Sequence, residues 1–315
     1  MKKRFSIAIL KKRWAFSLIE LSIVILIIGI VVAGITQGSR LVREMRIQAA
    51  ASLTKSSGIN GIKGLSMWLE TTSSSSITSS TRGLNPDDND KVAGWNDINS
   101  QKSGKINVTQ TSDSLRPTYI VDGIGNLPSI KFDGTTDYLI SLASAGGSVP
   151  LDANSDNFTY VAVWLSNTNS GAQVIFEQNS ATLTTGKRAS MLLVNNKYGF
   201  SGQANDAFGA SYGTSSSPHI SVMTVGQANG VNDANLTVKV YTNSNNASYT
   251  FTLTGGATKQ NVGVDAFYIG AKVTNNIENL NGMISEIIIF DRVLMKEEIS
   301  EVVNYLSKKY RIKLS

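Results

Sequence analysis

The chain has 315 residues, no cysteine, and 29 basic against 23 acidic residues. Six of the basic residues stand in the first fifteen positions, and the segment from Gly64 onward holds 18 basic to 21 acidic residues, a net charge of −3. That balance provides no basic face for a phosphate backbone and argues against a nucleic-acid role. Without cysteine there is no disulfide framework, so a head of ~250 residues must be held by its own core.

The basic leader (Lys2, Lys3, Arg4, Lys11, Lys12, Arg13) runs straight into an apolar stretch, residues 16–35, with no Lys or Arg and one acid, Glu20. At ~1.5 Å per residue, twenty helical residues span ~30 Å, the thickness of a bilayer's hydrocarbon. An ionised carboxylate at that depth costs ~2.5–3.5 kcal/mol, so Glu20 calls for a partner. A cleavable secretory signal has a shorter apolar core and a small-residue site after it. Here the run is longer, and Thr36, Gln37, Gly38, Ser39 and Arg40 offer no A-x-A site. Cleavage on the near side, between Ala15 and Phe16, would leave an α-amine one helical turn from Glu20. In an assembly that amine can neutralise the carboxylate of a neighbouring helix and fix its register.

The segment FSLIELSIVILIIGIVVAGI resembles the N-terminal segment of type IV pilins and of the pseudopilins of secretion and competence systems. The resemblance implies that a prepilin peptidase cuts between Ala15 and Phe16 and methylates the Phe16 amine, and that Glu20 is the assembly carboxylate. It also implies a single pass through the inner (cytoplasmic) membrane with the N-terminus cytoplasmic, then transfer to a pilus or pseudopilus at the cell surface. Its partners would be the peptidase and other pilin-like subunits. The family usually has Gly before the cut, where this chain has Ala15.

Beyond residue 35 the sequence stays helical to Ser56, Ser57 and Gly58, giving one helix of about forty residues, half in lipid and half outside. Gly58, Gly61 and Gly64 punctuate a linker, and the Ser/Thr-rich stretch 71–81 reads as a solvated loop. Residues 158–165, 219–225, 236–242, 248–254, 266–273 and 283–290 read as strands, with 243–246 a hairpin turn. In 249–253, Tyr249, Phe251 and Leu253 are expected inward and Thr250 and Thr252 outward. Ile299, Val302, Val303 and Leu306 at helical spacing predict an amphipathic closing helix. The fold expected is a long N-terminal helix, then an all-β antiparallel sandwich of jelly-roll type with a short C-terminal helix. The organisation expected is a leader (1–15), a transmembrane part (16–35), an exposed helix and linker (36–63) and a sandwich domain (64–315).

Three phrases are distinctive: residues 64–70, 92–139 and 281–310. Together they resemble a laminin-G-like domain of the concanavalin A-like lectin/glucanase superfamily. That resemblance implies the sandwich and leaves function open, since the fold serves lectins, glycosidases and structural modules alike.

A glycosidase on such a fold needs two carboxylates ~5–9.5 Å apart. The E-x-D-x-E or E-x-D-x-x-E triplet of retaining relatives is absent, Glu286 and Asp291 are at odd spacing, and Glu177 stands alone. The only histidine, His219, begins an apolar strand and reads as a hydrogen-bonded structural residue. No enzyme activity is expected. Loop oxygens of Asp87, Asp88 and Asp90 are the candidate Ca²⁺ ligands, weighed against a plain solvated acidic turn because the EF-hand spacing fails. Asp133 and Asp137 are expected to stabilise a turn at Gly134.

In 158–165, Val161, Val163 and Leu165 share one face, Tyr160, Ala162 and Trp164 the other. Such a strand sits in a sheet covered twice, or faces a groove in which Tyr160 and Trp164 stack on a sugar. Trp68 and Trp95 read as packing residues. The function expected is a minor pilin-like subunit displaying a ligand-binding head, with a glycan, a surface protein or no ligand left open. A pseudopilin-like component of a type II-type secretion or competence machine is the alternative, and a non-polymerising membrane-anchored surface binding protein is a third.

Overall fold

The computed structural model describes residues 18–153, 155–180, 182, 184, 186–203, 206–213, 215–227, 236–253, 262–272 and 278–315. Ala15 and Phe16 lie outside them. The chain divides into two compact units, Met1–Arg46 and Ile47–Ser315.

Helix α1 is Leu18–Ser56, 39 residues, in agreement with the forty-residue expectation. Its polar residues within the apolar run do not break it, because they turn back on the preceding turn: Ser22 Oγ donates to Ile19 O and Thr36 Oγ1 to Val32 O. In the first unit the apolar side chains, Leu18 to Ile35, are exposed. Within the second unit the helix buries Ala50 and Thr54, then gives way at Ser57, whose amide donates to Thr54 O.

Among its described residues the second unit contains eighteen strands: β1 (Leu65–Glu70), β2 (Ile77–Ser79), β3 (Gly83–Leu84), β4 (Val92–Trp95), β5 (Val108–Thr109), β6 (Thr118–Ile120), β7 (Ser129–Asp133), β8 (Leu139–Leu142), β9 (Phe158–Ser166), β10 (Ala172–Asn179), β11 (Arg188–Val194), β12 (Lys197–Ser201), β13 (Asp206–Ser211), β14 (Pro218–Gln227), β15 (Leu236–Thr242), β16 (Tyr249–Leu253), β17 (Ala266–Ile269) and β18 (Asn281–Phe290). They form two antiparallel sheets. One runs β16-β15-β14-β9-β18-β7-β6, with β1 also paired to β18; the other runs β13-β12-β11-β10-β17-β8-β5-β4-β2-β3. Helix α2, Lys296–Tyr310, closes the chain.

Two cores result, one on each side of the first sheet. Phe158, Tyr160, Ala162 and Trp164 of β9 point into the core between the sheets, with Phe176, Met191, Phe200 and Phe267 opposite. Val161 and Val163 point the other way, into a second core with Ile299, Val302, Val303 and Leu306 of α2. The period of two along β9 therefore serves two cores, and the strand is covered twice. Each fully buried aliphatic or aromatic side chain contributes roughly 1.5–3 kcal/mol, which supports the head without disulfides.

Two expectations change. Residues 71–81 are not a solvated loop: Thr71, Thr72, Ser76, Ile77 and Ser79 are buried, and β2 pairs with β4. The hydroxyls find backbone partners, Thr71 Oγ1 on Pro128 O and Ser76 Oγ on Ser73 O, so burying them carries little penalty. The strand expected at 266–273 ends at Ile269 because Gly270 adopts φ +86°, with the Phe132 ring where a Cβ would stand. Tyr249 stands on the inward face opposite Val240 as expected, but because β16 is an edge strand its ring stays exposed and stacks on Phe251 at 6.0 Å between centroids.

Candidate functional site

Glu20 lies near the start of α1, exposed among the exposed side chains of Leu18, Ile19, Leu21, Ile23 and Val24. Among the described residues, one helix is long and apolar enough to cross a membrane, and it is this one.

The most concentrated charge in the head is a group that sequence reasoning missed. Glu70 on β1 and Glu286 on β18 are cross-strand partners. Lys309 of α2 sits between them, its Nζ 3.0 Å from Glu70 Oε2 and 2.8 Å from Glu286 Oε2. Lys309 also donates to Thr54 Oγ1 at 2.8 Å, tying the last turn of α1 to the cluster. Trp68 Nε1 and the Tyr305 and Tyr310 hydroxyls donate to Glu286 at 2.8, 2.9 and 2.9 Å. Burial alone would raise the Glu70 carboxyl, but the Lys309 charge and hydrogen bonds from Ser73 and Thr72 hold it down at about 2. Burial would lower the Lys309 ammonium; the Glu286 and Glu70 carboxylates outweigh it and push the group well up. Both acids are at most 1% exposed, so the sugar that a glycosidase's carboxylates must flank has no entry. The signal was present in sequence: an acid inside each of two apolar strand patterns, and a lysine continuing the stripe three residues after Leu306.

Glu177 does not stand alone. Its Oε2 accepts from Arg188 Nε at 2.7 Å and its Oε1 from Asn179 Nδ2 at 2.8 Å. Arg188 Nη2 reaches Glu278 Oε2 at 2.9 Å, and Glu278 in turn holds Lys272 Nζ at 2.9 Å. The result is a row of alternating charges; burial opposes the Arg188 charge, and Glu177 and Glu278 restore it and raise its pKa. Partners 11 and 90 residues away carry no local spacing signal.

The acidic loop is internally committed. Arg82 pairs with Asp87 at 3.0 Å and Asp90 at 3.4 Å, Asp90 Oδ2 accepts from Asp87 N, and Asp88 Oδ1 accepts from Val121 N. Among the described residues no group of three acidic, histidine or cysteine side chains is placed to hold a metal ion. The other acidic turn is as expected: Asp133 Oδ1 accepts from the amides of Thr135, Thr136 and Asp137 beside Gly134 at φ +79°. Burial opposes the Asp133 charge, but the Thr135 hydroxyl and the turn amides hold its pKa far down. Burial and the adjacent Asp133 carboxylate push Asp137 up to about 6.

Tyr160 and Trp164 are fully buried, as are Trp68 and Trp95. Tyr160 packs edge-on against Phe176, and Trp164 packs at a tilt of 30° against His219 at 4.7 Å between centroids, so neither ring offers a face to a sugar. Both belong to the doubly covered strand rather than to a groove. His219 is held differently than expected: neither ring nitrogen has a hydrogen-bond partner among the described residues, and burial lowers its pKa to about 4.

Comparison with known proteins bears on both ends of the chain. No curated protein is matched by the sequence. Among solved structures the chain is similar to Trypanosoma rangeli sialidase in complex with sialic acid, at 16% identity and a TM-score of 0.49, covering 81% of this chain and 34% of that one. It is also similar to the botulinum neurotoxin serotype D binding domain, at 13% identity and a TM-score of 0.48, covering 78% of this chain and 51% of that one. The chain thus spans about a third of the sialidase's length and half of the binding domain's. Residues 11–36 match the family model described as the prokaryotic N-terminal methylation motif, so this chain joins a prepilin-type N-terminal segment, on a long apolar helix, to an all-β sandwich.

Proposed function

We propose that the protein is a minor type IV pilin-like subunit that is assembled through its N-terminal helix and displays its sandwich outside the cell. The match of residues 11–36 to the methylation motif, continuous with the exposed apolar face of α1, carries this reading. Prepilin peptidase would cut between Ala15 and Phe16 and methylate Phe16. Residues 16–35 would hold the subunit in the inner membrane, N-terminus cytoplasmic, until Glu20 pairs with the terminal amine of a neighbouring pilin-like subunit. Residues 36–63 would carry helix and linker, and 64–315 the head. A head of this size suits a subunit present in few copies rather than the repeating body of a fibre. The role proposed is structural and adhesive, and Glu70, Glu177 and Glu286 are each held in a buried ion pair.

Mass spectrometry of the mature N-terminus, on material sheared from the cell surface, tests this. A peptide beginning at N-methylated Phe16 is expected. A chain still beginning at Met1 and confined to membranes would leave a signal-anchored surface protein and sink the pilin reading.

A further inference from the structure

The outer face of the first sheet, where β14, β15 and β16 run past the start of α2, carries a groove of about 420 Å³. That volume lies within the ~300–1,000 Å³ usual for small-ligand sites. Its walls follow from the period of two. Val238 and Val240 of β15 point into the inter-sheet core, so Lys239 and Tyr241 face outward, joined by Thr250 of the neighbouring β16. The far wall comes from the beginning of α2 with Lys296, and the end wall from the 243–246 turn with Asn245.

Three features of this groove point to one ligand chemistry. First, among the described residues two lysines and no carboxylate line it, in a head of net charge −3. Neither Lys239 nor Lys296 is ion-paired among the described residues, and the N-terminal dipole of a fifteen-residue helix adds positive potential. Of the acids nearby in sequence, Glu298 is bidentate on Arg292 at 2.5 and 2.8 Å, Asp156 accepts the side-chain amides of Gln227 and Asn157, and Glu297, exposed in the first turn of α2, is not part of the groove lining. Second, the walls carry both kinds of hydrogen-bonding group. The hydroxyls of Thr237 and Thr250 and the side-chain amide of Asn246 line it. Hydroxyls and amides of this kind both donate to and accept from sugar hydroxyls. Third, Tyr241 gives the floor an aromatic side chain, 8% exposed.

We propose that this groove binds an acidic oligosaccharide, a hydroxyl-rich frame bearing carboxylate or sulfate groups. The ammoniums of Lys239 and Lys296 take the anionic groups, the Thr237 and Thr250 hydroxyls and the Asn246 amide take sugar hydroxyls, and Tyr241 lies beneath a ring. The inference rests on reading the head as a displayed binding domain and names that domain's ligand.

The test uses the full chain in detergent micelles on an array of neutral, uronate-containing, sialylated and sulfated oligosaccharides. Lys239→Gln, Lys296→Gln and the double variant are run beside it; both lysines are exposed, so unchanged melting temperatures are expected and are measured. The wild-type chain should retain acidic oligosaccharides and not neutral ones, and the sulfated and carboxylated arms tell which anion is preferred. Each substitution should weaken binding about tenfold, the double variant more, and added salt should weaken the wild type as well. Equal retention of neutral sugars, no retention of acidic ones, or undiminished binding by the double variant overturns the assignment. Incorporation into the sheared fibre fraction is scored separately. A chain that binds but never leaves the membrane counts against the pilin reading alone, and a chain that enters fibres but binds nothing counts against the groove alone.

Discussion

Glu70 and Glu286 face each other across the β1–β18 pair, both sealed from solvent, and a single ammonium, Lys309 Nζ, lies 3.0 and 2.8 Å from them. Two carboxylates directly opposite on neighbouring strands repel, so this stretch of sheet depends on a residue of the closing helix. Through Thr54 the same ammonium also holds the last turn of α1. The cluster thus joins the first strand, the last strand and both helices of the second unit at one point.

Replacing that ammonium is the sharpest test of the head's construction. Lys309→Met keeps the aliphatic stem and leaves two buried acids without their cation. Urea denaturation of this variant should show a loss of about 3–5 kcal/mol. Adding Glu70→Gln and Glu286→Gln should recover part of it, because the charges left unpaired are then gone.

Acid stability should reflect two groups of opposite sign. His219, at about 4 against an ordinary 6.5, is held neutral by burial, so the unfolded chain binds more protons between those values. Its contribution is complete above pH 6.5 and is lost as pH falls to 4, on the order of 3 kcal/mol. Asp137, raised to about 6 from 3.8, contributes most below pH 3.8, and that contribution is lost as pH rises through 6. The two oppose each other in the intact chain. Between pH 4 and 6 the stability of His219→Phe measured against the wild type should therefore fall with rising pH, while that of Asp137→Asn measured against the wild type should rise. A melting profile of both variants that matches the wild type would contradict the burial of these groups.

Calcium should not raise the melting temperature of the head. Arg82 already lies against Asp87 and Asp90, and Asp88 is bound to the Val121 amide. Thermal unfolding with a chelator and with millimolar calcium should coincide. A calcium-dependent rise that Asp87→Asn abolishes would restore the loop as an ion site.

Glu20→Leu separates anchoring from assembly. The substitution makes α1 more apolar, so membrane retention should persist while the protein disappears from the sheared fibre fraction. Unchanged recovery in that fraction would remove Glu20 from the assembly contact.

Much of the architecture is readable one residue at a time. The 3.6 period of Ile299, Val302, Val303 and Leu306 gives α2, and the period of two in β9 gives a strand covered on both faces. Short-range chemistry is readable too: the Asp133–Gly134 turn is closed by residues within four positions of one another. The Ser/Thr tract at 71–81 misleads because hydroxyls that would suit solvent are satisfied by backbone carbonyls, which composition does not reveal.

The sequence alone determined the local elements and the specific N-terminal segment, because helix and strand periods and a lone acid in an apolar run are properties of neighbouring residues. Tertiary structure alone decided which charges are paired. Glu70 meets Lys309 across 239 positions and Glu177 meets Arg188 across 11, and the groove beside α2 gathers residues from three strands, a turn and a helix. A buried charge is stable only beside its counter-charge, and where that counter-charge lies is set by sheet register and helix docking, not by spacing along the chain.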